Sequence, residues 1–275
     1  MFAGLSGDIG TLGLGLLIAG VVSGLMAGML GTGGGIVIVP VLYNVLGAAG
    51  VPEDLRMHIA IGTTLVAIVP TSLTSLSSHA RDNAVDWRLL KLWAAPLAIG
   101  VVAGTAVAAI APGQWLALAF AALAVPVAAY LAFGKESWRL TDYIPRGLGG
   151  ATLPFGVGGV SAMMGIGGGT LGVPALTLCG MPVPRAVGTA SAFSVVISVV
   201  GAIGAVIAGW GANGLPPISY GYVSLLAFAV IAPVMFVVAP AGAHYAHLAD
   251  RTRLRRTFAL FVAATAAKMV WDVLS

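Results

Sequence analysis

Residues 31–42 read Gly31-Thr32-Gly33-Gly34-Gly35-Ile36-Val37-Ile38-Val39-Pro40-Val41-Leu42. Residues 165–176 read Gly165-Ile166-Gly167-Gly168-Gly169-Thr170-Leu171-Gly172-Val173-Pro174-Ala175-Leu176. The glycines and the proline coincide at a constant offset of 134. Each copy lies inside a long uncharged apolar run. A triple glycine there breaks a helix, because glycine has the most conformational freedom to lose. Inside a bilayer, broken backbone persists only where protein or a water-filled cavity satisfies its polar groups. Two such breaks, one in each half of the chain, point to a transporter's binding site.

Composition agrees with a membrane setting. Of 275 residues, 59% are hydrophobic and 8% charged, and the mean hydropathy is +1.02. Soluble domains carry about 25% charge, so this chain lacks the means to cover a water-facing surface. The net charge of +4 places loops relative to the bilayer and implies no nucleic-acid partner. The single cysteine, Cys179, excludes an internal disulfide and reads as a small apolar residue. No Lys or Arg precedes the first apolar run, which is longer than the core of a cleavable signal.

Residues 9–52 carry no charge, and these 44 positions exceed one span of about 20 residues. The first break divides them into segments 10–30 and 36–47. Further segments are expected at 59–78, 89–110 and 114–133, the last two joined by the tight turn Ala111-Pro112-Gly113. The second half repeats the plan at 148–164, 170–180, 186–208, 219–240 and 257–274. Ala60-Ile61-Gly62-Thr63 after the first break matches Ala186-Val187-Gly188-Thr189 after the second, with a gap eight residues shorter. One deletion in the connecting loop accounts for that. The expected domains are a first repeat, 1–133, a charged cytoplasmic linker, 134–147, and a second repeat, 148–275.

Positive charge sets the parity. If each break returns the chain to its side of origin, loops 79–91, 134–147, 181–185 and 241–256 share one face and hold eleven of the thirteen basic residues. If each broken segment crosses once, the basic loop residues divide six to six. The positive-inside rule selects the first arrangement, with the N- and C-termini periplasmic. Five segments per half is an odd number, so the halves enter the membrane in opposite directions. The expected fold is therefore all-α and polytopic, two inverted repeats of about five segments with broken or re-entrant helices at the glycines.

A helix starting after Gly35 or Gly169 aims its free N–H groups at the glycine loop, with roughly half a positive charge at each terminus. Such termini bind sulfate and phosphate. The candidate anion site comprises Gly33, Gly34, Gly35, Gly167, Gly168, Gly169 and Thr170, with hydroxyls from Thr63, Thr64, Thr189, Ser191 and Ser194. The alternative reading is close helix packing through small residues. The uncharged segments offer no carboxylate for a proton relay or cation site. His58 and His79 can titrate near neutrality and are candidates for proton coupling or gating; otherwise they are polar helix-end residues. Arg56 and Arg185 can steer anions from opposite sides or snorkel to headgroups, and Lys268 reads as snorkelling. There is no Walker motif, no metal-spaced His or Cys cluster and no nucleophile triad, so no enzyme, cofactor or metal is expected.

These motifs resemble the sulfite exporter TauE/SafE family: the doubled Gly-Xaa-Gly-Gly-Gly with its later Pro, the doubled Ala-Xaa-Gly-Thr, and the loop His79-Ala80-Arg81-Asp82-Asn83-Ala84-Val85-Asp86-Trp87-Arg88. The resemblance spans essentially the whole chain. It implies a carrier of sulfite, sulfonate or related sulfur-containing anions across the bacterial inner membrane, commonly outward. An anion channel of the same fold and an importer of an organosulfonate are the alternatives. The expected partners are that anion, the lipid bilayer and, as an option, a second copy in a homodimer.

Overall fold

The computed structural model describes residues 9–30, 34–133, 141, 143–144, 147–248 and 251–274. Most of the expected linker 134–147, and Gly31–Gly33 of the first break, lie outside them. The protein is all-α and polytopic. Its helices are α1 (Ile9–Leu30), α2 (Gly35–Ala48), α3 (Glu53–Arg81), α4 (Trp87–Ile110), α5 (Gly113–Phe133), α6 (Gly147–Met163), α7 (Gly168–Leu178), α8 (Val183–Ala208), α9 (Leu225–Leu248) and α10 (Arg251–Leu274). Among the described residues, four helices are long and apolar enough to cross a membrane by length and composition: α3, α4, α5 and α8. At 1.5 Å per residue α2 and α7 reach about 21 and 16 Å, short of a core of about 30 Å.

The breaks fall at the glycine motifs. α6 ends in a Schellman turn: Ile166 N–H donates to Ser161 O and Gly165 N–H to Ala162 O, with Gly165 at φ +67°. The helices after the breaks end alike. Val51 N–H donates to Leu46 O and Met181 N–H to Leu176 O, around Gly50 and Gly180, both left-handed. Gly50-Val51-Pro52 and Gly180-Met181-Pro182 are therefore equivalent loops of equal length. This corrects the expected loop deletion. Ten positions separate Pro40 from Gly50 but six separate Pro174 from Gly180, and twelve separate Gly50 from Gly62 but eight Gly180 from Gly188. The shortening is one helical turn before the loop and one after it.

A second correction concerns 219–240. Its first residues form an antiparallel hairpin, Ser219–Tyr220 (β1) with Val223–Ser224 (β2), reversing at Gly221, and α9 starts only at Leu225.

Packing follows a pattern that survives exchange of α1–α5 for α6–α10. α1 packs on α9 and α6 on α4; α2 on α3 and α7 on α8; α3 on α9 and α8 on α4; α5 on α10. α3 and α8 run antiparallel, since Gly62 lies at Ala205 and Gly201 at Leu65. Between them Ser72 Oγ meets Ser198 Oγ at 3.5 Å, two residues 126 positions apart, the same spacing as Gly62 to Gly188.

α4 approaches α6 through Gly100 and Gly104. A Cβ at Gly100 would lie 2.1 Å from Phe155 O, and one at Gly104 2.1 Å from Gly159 O. Small residues four apart allow such backbone approach in lipid. Gly100→Val is expected to leave no monodisperse protein on size exclusion in detergent; a wild-type profile and thermal midpoint would contradict this packing.

The loops gather at two ends. Asp86, Tyr143, Ile144, Cys179–Pro182 and Arg185 line one cavity of about 680 Å³. At the other end Gln114 donates to Glu53 at 3.4 Å, Gly214 lies beside Leu55 and Pro52, and His58 faces Tyr222. The loops around 86, 143 and 181 thus share one end, and those around 53, 113 and 214 share the other.

Candidate functional site

The two glycine breaks touch. A Cβ at Gly35 would lie 2.8 Å from Gly165 O and 3.0 Å from Ile166 Cα; one at Gly165 would lie 2.8 Å from Ile61 Cα on α3. Gly34 has φ +72° and packs on Ser23 O of α1. Residues 34–40 and 164–170 are buried throughout. Of the expected glycines, Gly34, Gly35, Gly167, Gly168 and Gly169 are brought to this centre, while Gly33 lies outside the described residues.

The two helix N-termini differ in polarity. At α7, Gly169 N–H donates to Ser194 Oγ of α8 at 3.1 Å, and Ser194 Oγ in turn donates to Ala190 O. The structural counterpart of Ser194 on α3 is Ile68, whose Cδ1 is 2.9 Å from a Cβ built on Gly35. The counterpart of Thr170 is Ile36. Hydroxyls thus stand at the second break where aliphatic side chains occupy the matching positions of the first.

Several buried polar atoms have no hydrogen-bond partner among the described residues: Thr170 Oγ1, Thr64 Oγ1, Ser161 Oγ, Ser23 Oγ and the indole Nε1 of Trp93. Thr170 is in the first turn of α7 and is 5% exposed. Ser161 carries the carbonyl that ends α6. Thr64 is one turn beyond Ile61, which abuts Gly165. Trp93 stacks on Phe193 at 5.7 Å between centroids, and Phe193 abuts Gly168. An unpartnered buried polar group costs about 1–3 kcal/mol. Thr170, Ser161 and Ser23 belong to the segments that meet at the two breaks, and none of them carries a formal charge. The sequence reading missed Trp93, Ser161 and Ser23, because each gains its place only from packing between helices.

Thr63 and Thr189 have partners. Thr63 Oγ1 accepts from Ser224 N–H at 2.9 Å, and Thr189 Oγ1 from Asp86 N–H at 3.0 Å. Ser191 Oγ donates to Gly188 O at 2.6 Å within its own helix.

The polar residues nearer the ends are separated. His58 pairs through Nδ1 with Asp54 O at 2.8 Å and its ring lies 4.9 Å from that of Tyr222. Arg56 Nε donates to Val51 O at 2.7 Å, closing the end of α2. His79 sits at the opposite end of α3, where its carbonyl accepts from Ala84 N–H. Arg185 pairs with Asp86 at 3.8 Å and its side chain is 57% exposed. Lys268 contacts Asn44 and pairs with Asp272 at 2.8 Å. Asp272 thus places a carboxylate in the last turn of α10, where none was expected inside a segment, and Lys268 holds it.

A bundle of long apolar helices around two buried backbone breaks is the form of a multi-pass membrane transporter. The comparisons agree in class and give the family. The sulfite exporter TauE/SafE family profile matches residues 16–269, and the chain belongs to that family. A probable membrane transporter protein of Haemophilus influenzae is 30% identical over 254 residues, covering 92% of this chain and 96% of its own length. Another of that description from Xylella fastidiosa is 32% identical over 114 residues, 42% of this chain and 41% of its own. The probable membrane transporter protein YunE of Bacillus subtilis is 34% identical over 73 residues, 26% of this chain and 27% of its own. No solved structure gave a significant match.

Proposed function

We propose that the chain is a secondary transporter that moves sulfite, sulfonate or a related small sulfur-containing anion outward across the bacterial inner membrane. The observation that carries this reading is the buried, charge-free start of α7, where Gly169 N–H meets Ser194 Oγ and Thr170 Oγ1 has no partner among the described residues. Ser194 Oγ already holds an oxygen against the Gly169 N–H. An anion oxygen takes that place when Ser194 turns aside. Thr170, Ser161 and Trp93, unpartnered among the described residues, then donate to its remaining oxygens. A sulfur oxyanion suits such a shell, since it is compact, multiply accepting and weakly basic. Neutral donors and a helix terminus stabilise it without a buried cation that would hold it too long.

In this reading the two repeats are inverted and rock about the α3–α8 contact, and the end holding Asp86 and Arg185 is cytoplasmic by the positive-inside rule. An inside-negative potential drives each negative charge outward by about 2.3 kcal/mol per 100 mV, so export needs no coupling ion. In proteoliposomes of purified protein, sulfite and sulfoacetate efflux is expected to follow an imposed potential without a proton or sodium gradient, and to saturate. Flux absent under every gradient would remove the reading; flux without saturation would make the protein a channel.

A further inference from the structure

The doubled Gly-Thr motif has a use beyond the anion site. At one end of the α3–α8 pair, Thr63 Oγ1 holds Ser224 N–H, and a Cβ on Gly62 would lie 2.5 Å from Tyr222 O. At the other, Thr189 Oγ1 holds Asp86 N–H, and a Cβ on Gly188 would lie 2.5 Å from Ala84 O. Both captured residues cap the next helix. Asp86 Oδ1 accepts from Leu89 N–H at 3.0 Å, and Ser224 Oγ from Ala227 N–H at 3.4 Å. Each half therefore presents a Gly-Thr step on its third helix that receives the segment leading into the fourth helix of the other half. The two clasps lie at opposite ends, about 22 Å apart, from some fifteen residues at 1.5 Å each.

We infer that these clasps are the two gates of the transporter: Thr189 with Asp86 closes the cytoplasmic end, Thr63 with Ser224 the other, and each access state releases one. The inference rests on the alternating-access reading above. A clasp of one hydroxyl–amide bond over a glycine is strong enough to close and weak enough to open. Its net worth corresponds to about a five-fold shift in population. Each clasp borders its own cavity. Asp86 and Cys179 line the 680 Å³ cavity; Tyr222, His58 and Ala208 line a smaller one of about 20 Å³ at the other end.

Cys179, the chain's single cysteine, reports the first gate directly. Ala208→Cys in a Cys179→Ala background reports the second. Maleimide labelling is measured in detergent without anion. Thr189→Val is expected to raise labelling at Cys179 about five-fold and leave position 208 unchanged. Thr63→Val is expected to do the reverse. If either valine variant fails to fold, Gly188→Ala and Gly62→Ala press on the same clasps from the carbonyl side and carry the same expectation. A variant that raises both reporters, or neither, overturns the inference. Labelling that follows the clasps while the wild-type protein moves no sulfur anion would sink the substrate assignment alone. Normal wild-type flux with unmoved labelling would sink the clasps alone.

Discussion

Thr170→Val is expected to reduce sulfur-anion transport at least ten-fold, and Thr170→Val combined with Ser194→Ala about a hundred-fold, in a protein that still folds. Valine keeps the shape of threonine and removes a hydroxyl that is buried without a partner, so folding loses nothing it was using. Transport loses a donor to a charged ligand, worth about 1.5–3 kcal/mol each. Ser194→Ala leaves Gly169 N–H unpaired in the resting protein, so some stability falls with it, and the thermal midpoint reports that part separately. The repeat supplies its own control. Ile36→Val and Ile68→Val alter the matching positions of the first break, where no donor stands, and should leave flux within about two-fold. Initial rates in proteoliposomes decide the matter. Equal losses in the two halves would mean that the glycine termini alone hold the anion and the hydroxyls only pack. Trp93→Phe belongs to the same test. It keeps the stack on Phe193 and removes the indole donor, with an expected loss near ten-fold.

Much of this architecture can be read from residue types alone. Gly31–Gly35 and Gly165–Gly169 announce the breaks because glycine loses the most conformational freedom in a helix, and three in a row compound that cost. The basic residues group the loops, and the structure brings those around 86, 143 and 181 to one cavity. The unlike polarity of the two breaks was also legible, as Ile36 against Thr170 and Ile68 against Ser194, once the repeat is aligned past its two missing turns. The work of Thr63 and Thr189 was not. Their partners are 161 and 103 residues away, and a hydroxyl on an apolar helix looks the same whether it serves an anion or a distant amide. Trp93 is illegible for a related reason. Only the packing of α4 on α8 sets it over Phe193, and an interfacial aromatic is the default reading of a tryptophan near a helix start.

Gly35→Ala should abolish transport, by more than a hundred-fold, although it adds a single methyl group. Alanine is the better helix former and would ordinarily stabilise a helix by roughly 0.5–1 kcal/mol. Gly156→Ala shows that ordinary case, since a Cβ there meets nothing within 4 Å, and it is expected to keep full flux with an equal or higher thermal midpoint. At Gly35 the methyl would stand 2.8 Å from Gly165 O and 3.0 Å from Ile166 Cα. Both are backbone atoms of the opposite break, fixed by the Schellman bonds that end α6, so no flexible side chain can yield. The first break must then withdraw from the second by several tenths of an ångström, at the place where the anion passes. Packed cores tolerate such shifts at a cost of about 1–3 kcal/mol, which the fold can survive. A site that must hold an ion between two touching backbones and then release it does not have that latitude. Flux and thermal midpoint measured on both variants separate the two effects. Wild-type flux from Gly35→Ala would show that the breaks are a packing joint, and that the anion crosses elsewhere.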